Sequence, residues 1–228
     1  MKILALDAST EALSVALVDS ASAREFEHFE IAPQAHAQRL LPSAQALLER
    51  ATMQLADLDG FAFGRGPGAF TGLRIAAGLV QGLAAGVDKP VAPISTLAAL
   101  AARCQGYETV DRVRVVQDAR MGEVYTCDFR RGDDAPVPLG DERVIRPEDL
   151  DARQETADCT RAGNGWAVVA AARSVDPATL APLETWPHAL DIARLAIPVL
   201  ARSEGVAAAE ALPVYVRDDV ARKPGGGR

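Results

Sequence analysis

The sequence is poor in cysteine and lacks long apolar runs. Its three cysteines, Cys104, Cys127 and Cys159, are odd in number and lie 23 and 32 residues apart, which excludes a disulfide framework and a Cys-x-x-Cys metal clip. Free thiols are typical of a reducing cytoplasm, where we expect the protein to reside. No stretch of 18 apolar residues occurs and the N-terminal segment carries an acidic residue, so we predict neither a membrane span nor a signal peptide.

Histidine is equally scarce. His28, His36 and His188 are never within four residues of one another, so the sequence contains neither a helical His-x-x-x-His pair nor the His-Glu-x-x-His motif of zinc enzymes. It also lacks the Gly-x-Ser-x-Gly turn of serine hydrolases. We therefore predict no bound metal and no cofactor.

Positive charge is in the minority, with 24 lysines and arginines against 31 acidic residues and a net charge of −7. A protein that binds nucleic acid by itself normally carries a basic surface. Any contact with RNA is therefore expected to pass through a partner. The apolar share of 49% is ordinary for a globular protein and excludes a disordered or coiled-coil chain.

A similar succession of predicted strands and helices occurs twice along the chain, once in each half. The first half is predicted to contain strands 2–8, 12–19 and 23–31, helix 34–53, strand 59–64, helix 71–86, strand 89–94 and helix 95–104. The second half is predicted to contain strands 111–119, 122–129 and 136–145, a short helix 147–152, strand 157–163, helix 166–173 and a helical stretch 187–203 with a kink or break at Pro198. Apolar residues on both faces of the first two strands indicate a sheet covered on two sides.

Each half also carries the same two landmarks. An Asp-Ala pair stands at the bend of each opening hairpin, and a Gly-x-Gly follows a later strand, at Gly64-x-Gly66 and Gly163-x-Gly165. We therefore predict an α/β protein of two βββαβαβα domains, 1–106 and 107–220, of which the second is reduced. The remaining residues, 221–228, have no core-forming content and are predicted to be a disordered tail.

The glycine-rich stretch 64–74, GRGPGAFTGLR, lies between a predicted strand and a predicted helix. Two interpretations remain open. Such a turn can present backbone N–H groups to a phosphate or carboxylate, or its glycines can simply allow close packing of helix and strand. Thr71 is placed to cap the helix, and Arg74 in the first turn favours an acidic neighbour because it opposes the helix dipole.

The hairpin bends resemble the phosphate-binding hairpins of actin-like kinases. Asp7, Ser9 and Thr10 would form the first and Asp118 the second, with Gly163 and Gly165 completing a vestigial phosphate cleft. The alternative is that each aspartate only forms a turn. The second hairpin lacks small hydroxyl residues, and the chain offers no good adenosine-binding glycine pair after Gly165.

Two helices carry apolar residues on a second face. On 34–53, the predicted core stripe of Leu40, Leu41, Ala44, Leu47, Leu48 and Ala51 is opposed by Ala35, Pro42, Ala46 and Met53. On 71–86, Gly78 and Gly82 lie one turn apart, although a glycine within a helix costs about 1 kcal/mol relative to alanine. Either these faces bind another protein, or both helices are buried within the domain.

Several segments together resemble one protein family. These segments are MKILALDASTEALSVAL, His36 with Arg39-Leu40-Leu41-Pro42, GRGPGAFTGLRIAAG, ISTLAAL, DARMGEVY, GNGW and PVYVR. They are similar, in this order, to the TsaB (YeaZ) family of bacterial tRNA threonylcarbamoyladenosine biosynthesis proteins, from Met1 to about Val220. The resemblance implies two actin-like domains of the ASKHA (ribonuclease H-like) type. Ala69 departs from the family pattern, which commonly has serine there.

The resemblance also implies a function. Members of this family are non-catalytic partners of TsaD, a paralogue that transfers threonylcarbamoyl to adenosine 37 of tRNAs reading ANN codons, and the ATPase TsaE joins them. The chain would pair with TsaD, form a homodimer when alone, and reach tRNA only through the complex. Its expected partner face comprises Ala35, His36, Arg39, Pro42, Ala46, Met53, Arg74, Gly78 and Gly82.

Two enzymatic alternatives remain open from the sequence. An active actin-like ATPase or phosphotransferase would use Asp7 and Asp118. A glycoprotease-like metallopeptidase would need metal-binding histidines, and the scattered histidines speak against it.

Overall fold

Two β-sheets organise the chain, for which a computed structural model describes residues 1–106, 110–150 and 159–216. The strands are β1 (Lys2–Asp7), β2 (Ala12–Asp19), β3 (Arg24–Ile31), β4 (Gly60–Gly66), β5 (Val91–Ser95), β6 (Arg112–Arg120), β7 (Glu123–Arg130), β8 (Val137–Pro138), β9 (Arg143–Ile145) and β10 (Cys159–Ala162). The helices are α1 (His36–Ala51), α2 (Phe70–Val87), α3 (Thr96–Gln105), α4 (Trp166–Arg173) and α5 (Ala189–Ala201). The predicted tail 221–228 lies outside the described residues.

The first sheet has the strand order β3-β2-β1-β4-β5. Strands β1, β2 and β3 are antiparallel, whereas β4 and β5 run parallel to β1. Alternate residues of β1 face opposite sides, so Leu4 and Leu6 pack with α1 and α2 while Ile3 and Ala5 pack with α5. The prediction that helices cover both faces of this sheet is confirmed, as is the element order of the first half.

The second sheet is smaller, with the order β10-β6-β7-β8 and with β9 also paired to β7. The single third strand predicted at 136–145 is wrong, because the chain there forms only the two short strands β8 and β9. The predicted short helix at 147–152 is a 3-10 turn at Pro147–Asp149, and residues 151–152 lie outside the described part. Helix α4 covers one face of this sheet with Trp166 and Val169.

Helix α5 follows the second set of strands in the sequence but packs on the first sheet. Its N-terminal end is held there by Ala189 N, which donates to Ser14 Oγ at 2.9 Å, and by His188, whose Nδ1 lies 3.0 Å from Glu27 Oε1. The helix continues through Pro198 to Ala201, so the stretch is not broken there. The division at residues 106 and 107 stays a prediction, and packing alone would group α5 with the first sheet.

Two details of the predicted helices are wrong. Thr71 does not cap α2, because Leu73 N bonds the Ala69 carbonyl at 2.9 Å and the helix therefore begins at Phe70. Leu41 is 39% exposed, since it lies at the solvent edge of the apolar stripe of α1. Helix α2 is long and apolar enough to cross a membrane, but this is weak evidence because a helix of a soluble core passes the same test.

Candidate functional site

The glycine-rich loop between β4 and α2 packs directly on the first hairpin turn. Ala69 N donates to the Ser9 carbonyl at 2.7 Å. A Cβ added to Gly68 would lie 2.7 Å from Ser9 Cβ, and one added to Gly72 would overlap the Ala8 carbonyl oxygen. Side chains at these positions would push the loop away from the hairpin. The close-packing interpretation of these glycines therefore accounts for Gly68 and Gly72 without any ligand.

Asp7 is a buried carboxyl group at the end of β1, with an exposed fraction of 1%. Its Oδ1 accepts hydrogen bonds from Ser9 N at 3.0 Å and Ser9 Oγ at 2.8 Å, which makes it a turn-forming residue. Its Oδ2 lies against Gly64 and has no hydrogen-bond partner among the described residues. Burial raises the pKa of Asp7 to about 6, and the bonds from Ser9 oppose that shift only in part.

A cavity of about 200 Å³ lies where the two hairpins meet. The lining residues are Ser9, Thr10, Glu11, Pro67, Gly68, Ala69, Phe70, Leu73, Asp118, Ala119, Arg120, Tyr125, Asn164, Val214, Tyr215 and Val216. Arg120 bridges the two hairpins, because it pairs with Glu11 of the first and with Asp118 of the second at 3.0 Å. The cavity is thus bounded by both hairpins and by the last described residues of the chain.

The predicted cleft residues divide into two groups. Ser9, Thr10 and Asp118 line the cavity, whereas Asp7 lies behind the first hairpin turn. Gly163 and Gly165 do not line it either, because they pack against β6: Gly165 N donates to the Val116 carbonyl at 2.9 Å. Asn164 between them accepts from Asp118 N at 2.9 Å and so ties this turn to the second hairpin.

The outer side of α1 carries most of the predicted partner face. Pro42 and Ala46 are exposed, and Ala35 and Met53 are half-buried. Arg39 is also exposed, and its Nε pairs with Glu30 at 2.8 Å. Pro42 and Ala46 are thus open to solvent in the described chain, whereas Ala35 and Met53 pack partly against the chain's own core.

His36 differs from the other predicted interface residues. It is only 8% exposed, and its Nε2 lies 3.1 Å from the Ala12 carbonyl oxygen. The side chain therefore points inward and ties the start of α1 to β2. This contact gives His36 a role within the chain, in contrast to the surface position that the resemblance implied.

The outer side of α2 carries the two predicted glycines. Gly78 and Gly82 are exposed, and apart from the adjacent backbone of α2 itself no atom of the described chain lies within 4 Å of a Cβ built on either of them. Packing within the described chain thus gives no reason for glycine at these positions. Arg74 lies one turn before Gly78 and is also exposed.

Several residues at the cavity were not predicted from the sequence. Tyr215 accepts a hydrogen bond from Arg74 Nε at 2.9 Å and lies 5.2 Å from Phe70 between ring centres. The PVYVR and DARMGEVY segments that carry the resemblance contain Tyr215 and Arg120, which was a signal, but nothing in the sequence gave these residues a role. Asn164 lies in the GNGW segment in the same way.

Metal-binding and thiol chemistry find little support in the geometry. Across residues 1–106, 110–150 and 159–216, no group of three or more His, Cys, Asp or Glu side chains is arranged to hold a metal ion. Burial raises the pKa of the Cys104 and Cys127 thiols to about 12, so both stay protonated at neutral pH.

Comparison with known proteins gives one consistent family. Residues 28–213 match the model of the family described as TsaD: tRNA N6-adenosine threonylcarbamoyltransferase. The tRNA threonylcarbamoyladenosine biosynthesis protein TsaB of Escherichia coli is 37% identical over 98% of this chain and 97% of its own length. The protein of the same name from Haemophilus influenzae is 34% identical over 100% of this chain and 98% of its own length.

Solved structures agree with these relatives. YeaZ from Pseudomonas aeruginosa is 44% identical, with a TM-score of 0.83 over 94% of this chain and 99% of that one. A second structure, described as a protein with similarity to peptidase YEAZ from the same organism, is 43% identical with a TM-score of 0.84 over 95% and 99% of the two chains. With its two α/β sheets and near-complete coverage, this chain has the actin-like fold and belongs to the TsaB (YeaZ) family of tRNA threonylcarbamoyladenosine biosynthesis proteins.

Proposed function

We propose that this chain is a non-catalytic scaffold or activator subunit in tRNA threonylcarbamoyladenosine biosynthesis. It pairs with TsaD, with TsaE joining the complex, and is required for threonylcarbamoyl transfer to adenosine 37 of tRNAs reading ANN codons. When alone it forms a homodimer. The complex works in the cytoplasm, without a membrane and without a cofactor on this subunit.

The closed contact between the glycine loop and the first hairpin carries this proposal. In an actin-like phosphotransferase these two segments would have to leave space for phosphate groups. Here Ala69 N is already bonded to the Ser9 carbonyl, and Gly68 lies in contact with the Ser9 backbone. The Ala69 N–H, one of the backbone donors of this loop, is therefore already engaged within the chain. This contact supports the proposal that the chain keeps the actin-like fold but does not transfer phosphate.

The outer faces of α1 and α2 support the pairing with TsaD. They combine exposed apolar or small residues, such as Pro42 and Ala46, with glycines that no neighbour within the described chain requires. Small residues one turn apart allow two helices to approach closely. A partner that packs its own helices on these faces would use that space.

The charge of the chain supports indirect contact with tRNA. With a net charge of −7, the protein as a whole would repel the phosphate backbone of a nucleic acid. The nucleic acid is therefore expected to be held by other subunits of the complex.

Reconstitution tests the proposal. TsaD of the same organism should co-purify with this chain, and tRNA modification by TsaD and TsaE should depend on its presence. Asp7→Ala and Asp118→Ala should leave that modification within about tenfold of wild type, because loss of a catalytic group typically costs a hundredfold or more. A loss beyond a hundredfold, with melting temperature and TsaD binding intact, would instead favour an active phosphotransferase.

A further inference from the structure

The last described residues of the chain are seated on the loop that precedes α2. Residues 212–216, which we call the strap, run beside the glycine loop, and Val214 N donates to the Arg65 carbonyl at 2.8 Å. Gly66 has a φ of +110°, and a Cβ there would lie 2.7 Å from the Val214 carbonyl oxygen. Only glycine at position 66 leaves space in the loop for the backbone of the strap. The strap is held by its backbone, which fixes where its side chains stand.

The seated strap places Tyr215 against Arg74. Arg74 Nε donates to the Tyr215 hydroxyl at 2.9 Å, and the guanidinium carbon lies 3.8 Å from the centre of the Phe70 ring. An exposed arginine without such contacts samples many rotamers, and ordering it on binding costs free energy. The hydrogen bond and the cation–π contact restrict that freedom before any partner arrives.

The Arg74 guanidinium retains N–H groups that can donate hydrogen bonds to a partner. In the described part of the chain, the Nη atoms of Arg74 make no hydrogen bond and no ion pair. A guanidinium matches a carboxylate with two parallel hydrogen bonds, a geometry that a lysine cannot reproduce. The site therefore fits a carboxylate better than any neutral group.

The position of Arg74 links it to the proposed partner face. Phe70, Arg74, Gly78 and Gly82 follow one another at four-residue steps, so they lie along one side of α2. We infer that Arg74 binds a carboxylate of the partner protein at the head of the glycine stripe, and that Tyr215 is a positioning residue that holds Arg74 for this contact. The inference rests on the proposed pairing with TsaD.

A double-mutant cycle on TsaD affinity tests both parts. Arg74→Ala should weaken binding about thirtyfold and Arg74→Lys about tenfold, because the bidentate contact is lost in each. Tyr215→Phe, which keeps the ring and removes only the hydroxyl, should weaken binding about fivefold. In the Arg74→Ala background, Tyr215→Phe should have no further effect. Leu183→Ala, at a residue that is 46% exposed and lies outside both the strap and α2, is the control and should bind as wild type.

The outcomes separate the inference from the proposed function. Wild-type affinity for the Arg74 variants overturns the carboxylate contact, and an unchanged fivefold loss from Tyr215→Phe in the Arg74→Ala background overturns positioning. If wild type itself does not bind TsaD, the proposed function and the partner contact both fail.

A measurement on the free protein checks positioning without any partner. The Arg74 Nε–H order parameter from ¹⁵N relaxation should be high in wild type and should fall to that of an exposed arginine in Tyr215→Phe. Melting temperatures should stay within about 2 °C, since one exposed hydrogen bond contributes little to stability. A mobile Arg74 in the wild-type protein would refute the positioning role.

Discussion

Glycine occurs in two neighbouring regions of this protein for opposite physical reasons. At the loop before α2 and in the first turn of that helix, the first hairpin passes so close that a Cβ on Gly68 or Gly72 would collide with it. On the outer side of α2, apart from the adjacent backbone of the helix itself, no atom of the described chain lies within 4 Å of a Cβ added at Gly78, Gly82 or Gly86.

The first group of glycines is required for folding of the monomer, whereas the second is expected to serve association with another chain. The loop glycines are explained by contacts inside the chain, so their replacement should damage the monomer. On the outer side of α2, each of Gly78, Gly82 and Gly86 costs about 1 kcal/mol relative to alanine, and the described chain contains no contact there that offsets this cost. A second chain packed closely on this side would supply the reason. A partner is therefore expected to bind on the outer faces of α1 and α2 and not on the glycine loop.

The largest expected effect is on pairing, at Ala46. Because Ala46 is exposed, Ala46→Arg should leave the melting temperature of the monomer unchanged. Within a desolvated interface the same unpaired charge typically costs several kcal/mol, which is a loss of several hundredfold in TsaD affinity. Ala172→Arg, the same change at an exposed alanine of α4, is the matched control and should pair normally. Analytical ultracentrifugation beside thermal melting gives both readouts, and a variant that still pairs with wild-type affinity contradicts the interface.

The next effect concerns the loop. Gly72→Ala should destabilise the protein by about 3 kcal/mol or more, since its Cβ would overlap the backbone of Ala8 and neither segment can shift freely. Urea denaturation measures this change. A loss below about 1 kcal/mol would show that the loop and hairpin can separate, and it would remove the physical basis of the comparison.

A pH-dependent effect on stability is expected at Asp7, whose side chain packs against Gly64 beside the glycine loop. Burial raises the pKa of Asp7 to about 6 from an ordinary value of 3.8. Between these two pH values the unfolded chain ionises while the folded chain keeps its proton, so the free energy of unfolding falls as pH rises. Above pH 6 the accumulated loss is about 2 to 3 kcal/mol.

Asp7→Asn removes this titration and keeps an oxygen to accept the bonds from Ser9. The variant should be more stable than wild type at pH 8 and closest to it near pH 4. Denaturation curves measured across this range give the difference directly. A wild-type-minus-variant difference that does not change between pH 4 and pH 8 would contradict the raised pKa.

The smallest expected effect is at Gly78, where one substitution should raise the stability of the free protein and lower its affinity for TsaD. Gly78→Ala should stabilise the free protein by about 1 kcal/mol, because alanine favours the helix and finds open space. The same methyl group should weaken pairing with TsaD, since it holds the two helices apart. Gly72→Ala is the natural contrast, as it lowers stability at a neighbouring glycine. A Gly78→Ala protein that is both more stable and equally well paired would leave the glycine stripe without a role in binding.

The sequence predicted most elements of this fold because their signals are local. Apolar periodicity placed the hairpin of β1 and β2 and the helix α3, which Ser95 caps: its Oγ accepts a hydrogen bond from Ala98 N at 3.0 Å. The same periodicity wrongly placed Leu41 in the core, because apolar spacing along a helix does not show which residues of the apolar face lie at the edge that contacts solvent. It also gave two interpretations of the glycine loop, since glycine is equally suited to anion binding and to close packing.

The sequence by itself determined most of the strands and helices and the family, because these follow from apolar spacing and from short motifs. Only the tertiary structure decided that α5 returns to the first sheet, that His36 points inward, and that Tyr215 meets Arg74 across 141 residues of chain. Each of these contacts joins segments that are distant in sequence. Their meeting depends on how sheets and helices pack, and local residue spacing does not encode that arrangement.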